Sequence, residues 1–151
     1  MRLRDYVLAT AAGEAVAQIA SALVAAASSA YASSVPAEAP YVLPASLVFA
    51  GALEGLAVGG AQAYVLRAHV PARPFVLATT LAMTLSWMAG AVVSLVEPAS
   101  MPSMTLILGV AAVLGLVVGG ALGLAQDRVF ERVGISGTRF IGSSALGWCV
   151  A

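Results

Sequence analysis

The sequence predicts an all-α fold, a polytopic transmembrane helical bundle, from three observations. The first is composition: of the 151 residues, 61% are hydrophobic and 9% are charged, whereas soluble domains have about 45–50% apolar and about 25% charged residues. A soluble chain of this length could not bury so much apolar surface, because small domains keep a large surface-to-volume ratio. The second and third observations are the lengths of the apolar stretches and the positions of the arginines.

Four apolar stretches are long enough to cross a bilayer, which takes roughly 20 apolar residues in a helix. A fifth apolar segment, Phe140–Ala151, has only twelve residues and would rise only about 18 Å as a helix. We expect an incomplete or interfacial span there, or a chain that is cut short. The predicted full spans are Tyr6–Ala30, Leu43–Leu66, Phe75–Leu95 and Met104–Leu124.

The arginines predict the orientation. With four spans, the N-terminus, the second loop and the C-terminal segment lie on the same side of the membrane. The other two loops contain only Glu38 and Glu97 as charged residues. Positively charged residues are retained on the cytoplasmic side, so we expect a cytoplasmic N-terminus. The absence of lysine and the abundance of alanine and glycine are typical of a bacterial chain, which implies the inner membrane. All seven arginines lie on the side of the N-terminus, and they are Arg2, Arg4, Arg67, Arg73, Arg128, Arg132 and Arg139.

A cleaved secretory signal is the alternative for the first segment. Arg2 and Arg4, the apolar run and the small residues Ala30 and Ala32 fit such a signal and its cleavage site. The run is long for a signal, however, and Glu14 interrupts it. We therefore favour a permanent first span.

An internal repeat is predicted from the even-numbered spans. Four residues of the second span recur in the fourth at a shift of 64 residues with identical spacing. A weaker repeat is present in the odd-numbered segments. Tyr6, Phe75 and Phe140 each begin an apolar segment shortly after an arginine. We expect one transmembrane domain, 1–151, built from hairpin units at about 40–73 and 104–139 with odd-helix echoes at 6–30, 75–95 and 140–151. The repeated residues are Gly51, Gly55, Gly59 and Gln62, and then Gly115, Gly119, Gly123 and Gln126.

These glycines are predicted to be helix-packing residues. Residues spaced by four share one helical face, and small residues let helix backbones approach closely in lipid. We favour intramolecular packing between the repeats, and the alternative is a homo-oligomeric or heteromeric interface through one of the grooves. Gln62 and Gln126 end the two faces and are expected to hydrogen-bond across helices near the cytoplasmic boundary.

Two glutamates are predicted to lie near the middle of the bilayer. Glu14 follows Arg4 by ten residues and Glu54 precedes Arg67 by thirteen, which corresponds to depths of about 15 Å and about 20 Å. An intramembrane acid is a functional-site hypothesis by default. We expect both to be mostly protonated at pH 7, with a carbonyl, Gln18 or Thr84 as hydrogen-bond partner. The favoured interpretation is that the protonated acids hold helices together by hydrogen bonds. The alternatives are a proton or cation path, and binding of a ligand, lipid headgroup or partner helix.

Other chemistry has little support. The single histidine, His69, lies in a loop, and the single cysteine, Cys149, excludes a cysteine-based metal cluster. We expect neither metal nor cofactor, and the net charge of zero favours no nucleic-acid partner. Trp87 is expected to pack, and Asp127 to belong to a solvated extension of the fourth helix. The expected partners are membrane lipid and either further copies of the chain or another membrane protein.

The chain resembles uncharacterised multi-spanning bacterial membrane proteins with repeated G-x3-G-x2-Q hairpins. The resemblance rests on Gly13-Glu14, on the series from Glu54 to Arg67, and on Gly119-x3-Gly123-x2-Gln126. It implies no activity. Proteins of this kind commonly have an arginine after the second glutamine helix and a complete final hairpin. This chain differs from them in having Phe130-Glu131 where the first copy has Leu66-Arg67, and in lacking the final hairpin.

The sequence therefore predicts a non-catalytic structural or accessory membrane subunit, or a homo-oligomer, assembled through glycine-rich helix faces. The alternative is a small transporter or channel that uses Glu14 and Glu54 for proton or cation movement. An enzyme acting on lipid ranks third, because only the same two acids could act as a base.

Overall fold

The computed structural model describes residues 3–94, 104–132 and 141–142. Every element in these ranges is helical, so the all-α prediction is confirmed for the described chain. Four helices are long and apolar enough to cross a membrane. The predicted fifth segment lies outside the described residues except for 141–142. The elements are α1, Leu3–Ser34; a 3-10 turn, Pro36–Glu38; α2, Ala39–Leu66; α3, Ala72–Ser94; and α4, Met104–Glu131.

The chain forms two compact units, Met1–Val96 and Glu97–Ala151. The first contains α1, α2 and α3, and the second contains α4.

In the first unit, α2 is the central helix. It packs against both α1 and α3, while the backbones of α1 and α3 do not approach each other over the described residues. The helices alternate in direction. Gly51 of α2 lies against Trp87 of α3, and the later Gly59 lies against the earlier Thr79. A single central helix therefore holds the unit together.

Short connections fix the antiparallel neighbours. Between α1 and α2, the Tyr31 hydroxyl donates a hydrogen bond of 2.7 Å to the Glu38 carboxylate, which ties the end of α1 to the 3-10 turn. At the other end of α2, the backbone amides of His69 and Val70 donate to the Leu66 carbonyl at 2.8 and 2.9 Å. Val70 is buried, so this connection lies close against the unit.

The glycine face of α2 is covered by α3. A Cβ atom at Gly55 would lie 2.5 Å from the Cα of Thr80, and one at Gly51 would lie 2.6 Å from the side chain of Trp87. Real Cβ atoms do not approach other atoms so closely. These positions let the two backbones come together, as expected for helices that associate in lipid. The groove predicted on α2 is therefore filled by a helix of the same chain.

The outer surfaces of the helices are apolar. Ile19 and Leu23 of α1, Leu81 of α3 and Val117 of α4 are each more than half exposed. Large exposed apolar areas are rare on soluble monomers. The hydrocarbon core of a bilayer would solvate these side chains.

Candidate functional site: a polar layer in the three-helix unit

The centre of the candidate site is a hydrogen bond between α2 and α3. The indole Nε1–H of Trp87 donates to the carboxyl of Glu54 at 2.5 Å, and Glu54 is only 3% exposed. Gly51, one turn before, has no side chain, so the Trp87 ring lies directly over its backbone. A side chain there would displace the ring from the position in which it reaches the carboxyl.

The face of α2 that includes Glu54 contacts both neighbouring helices. Glu54, Val58 and Gln62 are spaced by four and therefore share a face, and all three are buried. Glu54 bonds to α3, whereas Val58 lies against Gly13 of α1. This stripe joins α1 and α3 through α2.

Glu14 of α1 is brought close to Glu54. It is half-buried, and the residue before it, Gly13, lies against Val58, one turn from Glu54 on α2. Within the described residues it has no hydrogen-bond partner. The two acids that the sequence places near the middle of the bilayer thus lie on facing helices at nearby levels, and only Glu54 has a donor among the described residues.

Two residues predicted as partners of the glutamates do not act as such. Thr84 donates its hydroxyl to the Thr80 carbonyl of its own helix at 2.7 Å, and Gln18 is exposed on α1. Trp87, for which only packing was expected, is the donor instead. The position of Trp87 in the sequence contains a signal for this role. The connection between α2 and α3 is short, so residues of the two helices that are about equally far from the connection lie opposite each other, and Glu54 and Trp87 form such a pair.

A second polar contact lies two turns from Glu54 toward the arginines. Gln62 is 5% exposed, and its Nε2 donates to Thr10 Oγ1 of α1 at 3.2 Å. The Thr10 hydroxyl in turn donates to the Tyr6 carbonyl at 3.0 Å. The cross-helix bond that the sequence predicts for Gln62 is therefore present.

In the second unit, α4 also buries polar residues. Gln126 is 1% exposed and Asp127 is 8% exposed. The Oδ1 atom of Asp127 finds no hydrogen-bond partner in the described structure. The prediction that Asp127 is solvated is wrong: Asp127 is buried, whereas Arg128 and Glu131, on other faces of the same helix, are exposed. Gly119 and Gly123 are buried, and Gly115 is partly buried.

The arginine end of the first unit is exposed. Arg4, Arg67 and Arg73 are all exposed, and antiparallel pairing places them at the same end. The Arg67 guanidinium lies 4.3 Å from the centre of the Tyr64 ring, which is a cation–π contact. Arginine and aromatic residues together are typical of a membrane interface.

The polar layer of the first unit consists of Glu14, Glu54, Gln62 and Trp87. Its side chains can form hydrogen bonds, and its two carboxyl groups can also bind protons. The described chain contains no group of three or more His, Cys, Asp or Glu residues that could hold a metal ion. Comparison of the chain with protein-family models, with curated proteins and with solved structures found no match. The resemblance drawn from the G-x3-G-x2-Q pattern therefore stays a hypothesis.

Proposed function

We propose that this chain is a non-catalytic structural or accessory subunit, a multi-pass protein of the bacterial inner membrane with a cytoplasmic N-terminus. The observation that supports this best is the use of buried polar side chains in the first unit. Glu54 and Gln62 are each engaged with a neighbouring helix, and a hydrogen bond between helices stabilises packing in lipid. Both side chains therefore form hydrogen bonds that hold the helices together, and neither is directed at a substrate.

The glycine face adds to this argument. Gly51, Gly55 and Gly59 all lie against α3 so closely that a methyl group would meet neighbouring atoms. Such contact leaves no free groove for a substrate along this face. A tightly packed, chemically inert unit suits an assembly role better than turnover.

The proposed orientation rests on charge. Three exposed arginines lie at one end of the first unit, while Glu38 lies at the other. Retention of positive charge in the cytoplasm would place residue 69 and the N-terminus inside.

A duplicated hairpin is part of the proposal, and burial supports it. Six positions of α2 and their counterparts in α4, 64 residues later, are buried in both helices. The acid is not repeated, because Val118 occupies the position that corresponds to Glu54. The duplicated position in α4 therefore has no carboxyl group. The matched pairs are Gly55 and Gly119, Val58 and Leu122, Gly59 and Gly123, Gln62 and Gln126, Ala63 and Asp127, and Leu66 and Phe130.

The alternative is a small transporter or channel that moves protons or cations along the two acids. The observation in its favour is Glu14, a half-buried carboxyl beside Glu54 that lacks a hydrogen-bond partner among the described residues. Intramembrane acids of this kind line ion and proton pathways in many membrane proteins.

Two measurements on the purified chain separate the proposals. Gentle detergent extraction should yield a stoichiometric complex with a membrane protein or with further copies. Proteoliposomes should show no proton or cation flux above protein-free vesicles. A flux that Glu54→Gln abolishes while the helical content and thermal transition are retained would refute the structural role and establish transport.

A further inference from the structure

We propose that the outer face of α2 binds one anionic phospholipid, with the lipid phosphate at Arg67 and an acyl chain over Gly60. This inference goes beyond the structural role and depends only on the location of the chain in a bilayer. The observation behind it is an exposed arginine held against a tyrosine at the end of a membrane-spanning helix, next to an open notch on the same helix face.

Arg67 is held in place but its charge is not neutralised. Its guanidinium lies 4.3 Å from the centre of the Tyr64 ring, and it has no carboxylate partner among the described residues. A cation–π contact orients a cation and leaves its charge in place. The guanidinium has five N–H donors in a planar fork that matches the geometry of a phosphate group. The ligand that this side chain lacks is therefore an oxyanion.

The same face of α2 has a notch on the membrane side of Arg67. Leu56, Gly60, Tyr64 and Arg67 follow steps of four, four and three, so they share one helix face. Leu56 and Tyr64 are 49% and 68% exposed. Gly60 lies between them, and a Cβ atom there would meet nothing within 4 Å. The gap between the two projecting side chains is open to a flexible hydrocarbon chain.

The length of this face matches one leaflet of a bilayer. Leu56 precedes Arg67 by eleven residues, which is about 16 Å along a helix, and half of the hydrocarbon core is about 15 Å. Headgroups lie just outside that core, at the level where arginine and tyrosine anchor. A lipid phosphate therefore reaches Arg67 while its acyl chain lies along Gly60 and Leu56. A free phosphate ion would make only the first of these contacts.

The charge of this end favours an anionic lipid over a zwitterionic one. Three exposed arginines lie at this end of the first unit, against one exposed acid, Asp5, among the described residues. A zwitterionic headgroup balances its phosphate with its own ammonium group, whereas an anionic lipid leaves its charge to be balanced by the protein. Basic sites at the boundary of a membrane bind such headgroups.

Native mass spectrometry of the purified chain in detergent micelles tests the choice of ligand by measuring the dissociation constant of the first bound lipid. Dioleoylphosphatidylglycerol should bind more tightly than dioleoylphosphatidylcholine, which has the same acyl chains and phosphate group. Added inorganic phosphate should not displace it. Equal affinities for the two lipids would overturn the proposal, and displacement by inorganic phosphate would do so as well, because it would indicate a site for a free anion.

Two arginine variants test the position of the phosphate. Arg67→Gln should raise the dissociation constant for dioleoylphosphatidylglycerol at least about 10-fold, as expected for the loss of a charge-assisted hydrogen bond. Arg73→Gln removes the same charge from the same end of the unit, on α3, and should raise it no more than about 5-fold, the effect of a nearby charge alone. Equal effects of the two variants would show that overall charge attracts the lipid and would refute a site at Arg67.

Two glycine variants test the notch. Gly60→Leu fills the gap with a side chain and should weaken binding of dioleoylphosphatidylglycerol. Gly90→Leu adds the same side chain on α3, also where a Cβ atom would have nothing within 4 Å, and should leave the affinity unchanged. Far-UV circular dichroism and the thermal transition should show that both variants fold. Unchanged binding by a folded Gly60→Leu variant would refute the acyl-chain contact, whereas complex formation and ion flux test the structural role separately.

Discussion

Substitution of Gly55 by alanine tests whether close backbone contact between α2 and α3 holds the first unit together. The added Cβ would lie 2.5 Å from the Thr80 Cα and 3.1 Å from the Met83 Cβ. The nearer of these atoms belongs to the backbone of α3, so no side-chain rotation can relieve the clash. The two helices must separate or shift.

The magnitude follows from two opposing effects. Forcing an extra carbon atom into a well-packed interface costs about 1–3 kcal/mol, whereas alanine gains about 0.5–1 kcal/mol over glycine inside a helix. Because the clash is with backbone, we expect the cost to dominate. Gly55→Ala should lower the free energy of unfolding by about 1–2 kcal/mol.

Gly60 provides the matched control. It lies in the same helix, and a Cβ atom there would have nothing within 4 Å. Gly60→Ala should therefore be neutral or stabilising, by up to about 1 kcal/mol. Reversible unfolding of both variants in detergent micelles, followed by far-UV circular dichroism, measures the difference. Equal stabilities for the two variants would refute the proposed close packing.

Three further predictions concern the polar contacts and the orientation. Trp87→Phe should cost about 1–3 kcal/mol because it leaves a buried acceptor without its donor; the same change in a Glu54→Leu background should cost much less, and equal costs in the two backgrounds would contradict the bond. Gln62→Leu should destabilise the unit by about 0.5–1.5 kcal/mol, and adding Thr10→Val should cost less than the sum of the two single changes; fully additive effects in the same unfolding assay would indicate that the two side chains act independently. His69→Cys in a Cys149→Ser background should react with an impermeant maleimide only after the cytoplasmic face is opened, and labelling of intact spheroplasts would reverse the proposed topology.

Hydropathy and charge are sufficient to predict the helices of this chain but not all of their ends. The second span was predicted to start at Leu43, whereas α2 begins at Ala39. Pro40 precedes the predicted span but lies inside α2, because proline is tolerated in the first turn of a helix, where its missing N–H leaves no bond unmade. The fourth span was predicted to end at Leu124, and α4 continues to Glu131, in agreement with the helical extension predicted there.

The site was predicted only in part, because side-chain partners depend on register between helices. Spacing alone locates the glycine face and places Glu14 and Glu54 near the middle of the bilayer. It does not reveal that Trp87 lies across Gly51, since that depends on the short turn between α2 and α3. Asp127 illustrates another limit: its polarity predicted exposure, whereas it lies on the face of α4 that also includes the buried Gly123 and Phe130.

The central position of α2 determines how the loss of one helix–helix contact affects the rest of the first unit. Since α1 and α3 each pack on α2 and their backbones do not approach each other over the described residues, neither shields the other from the loss of its own contacts. A lesion at Gly55 should detach α3 and leave α1 in place, and a lesion at Gly13 should do the reverse. The unit would then come apart in two separable steps, unlike a closed bundle, in which removing one member exposes every other.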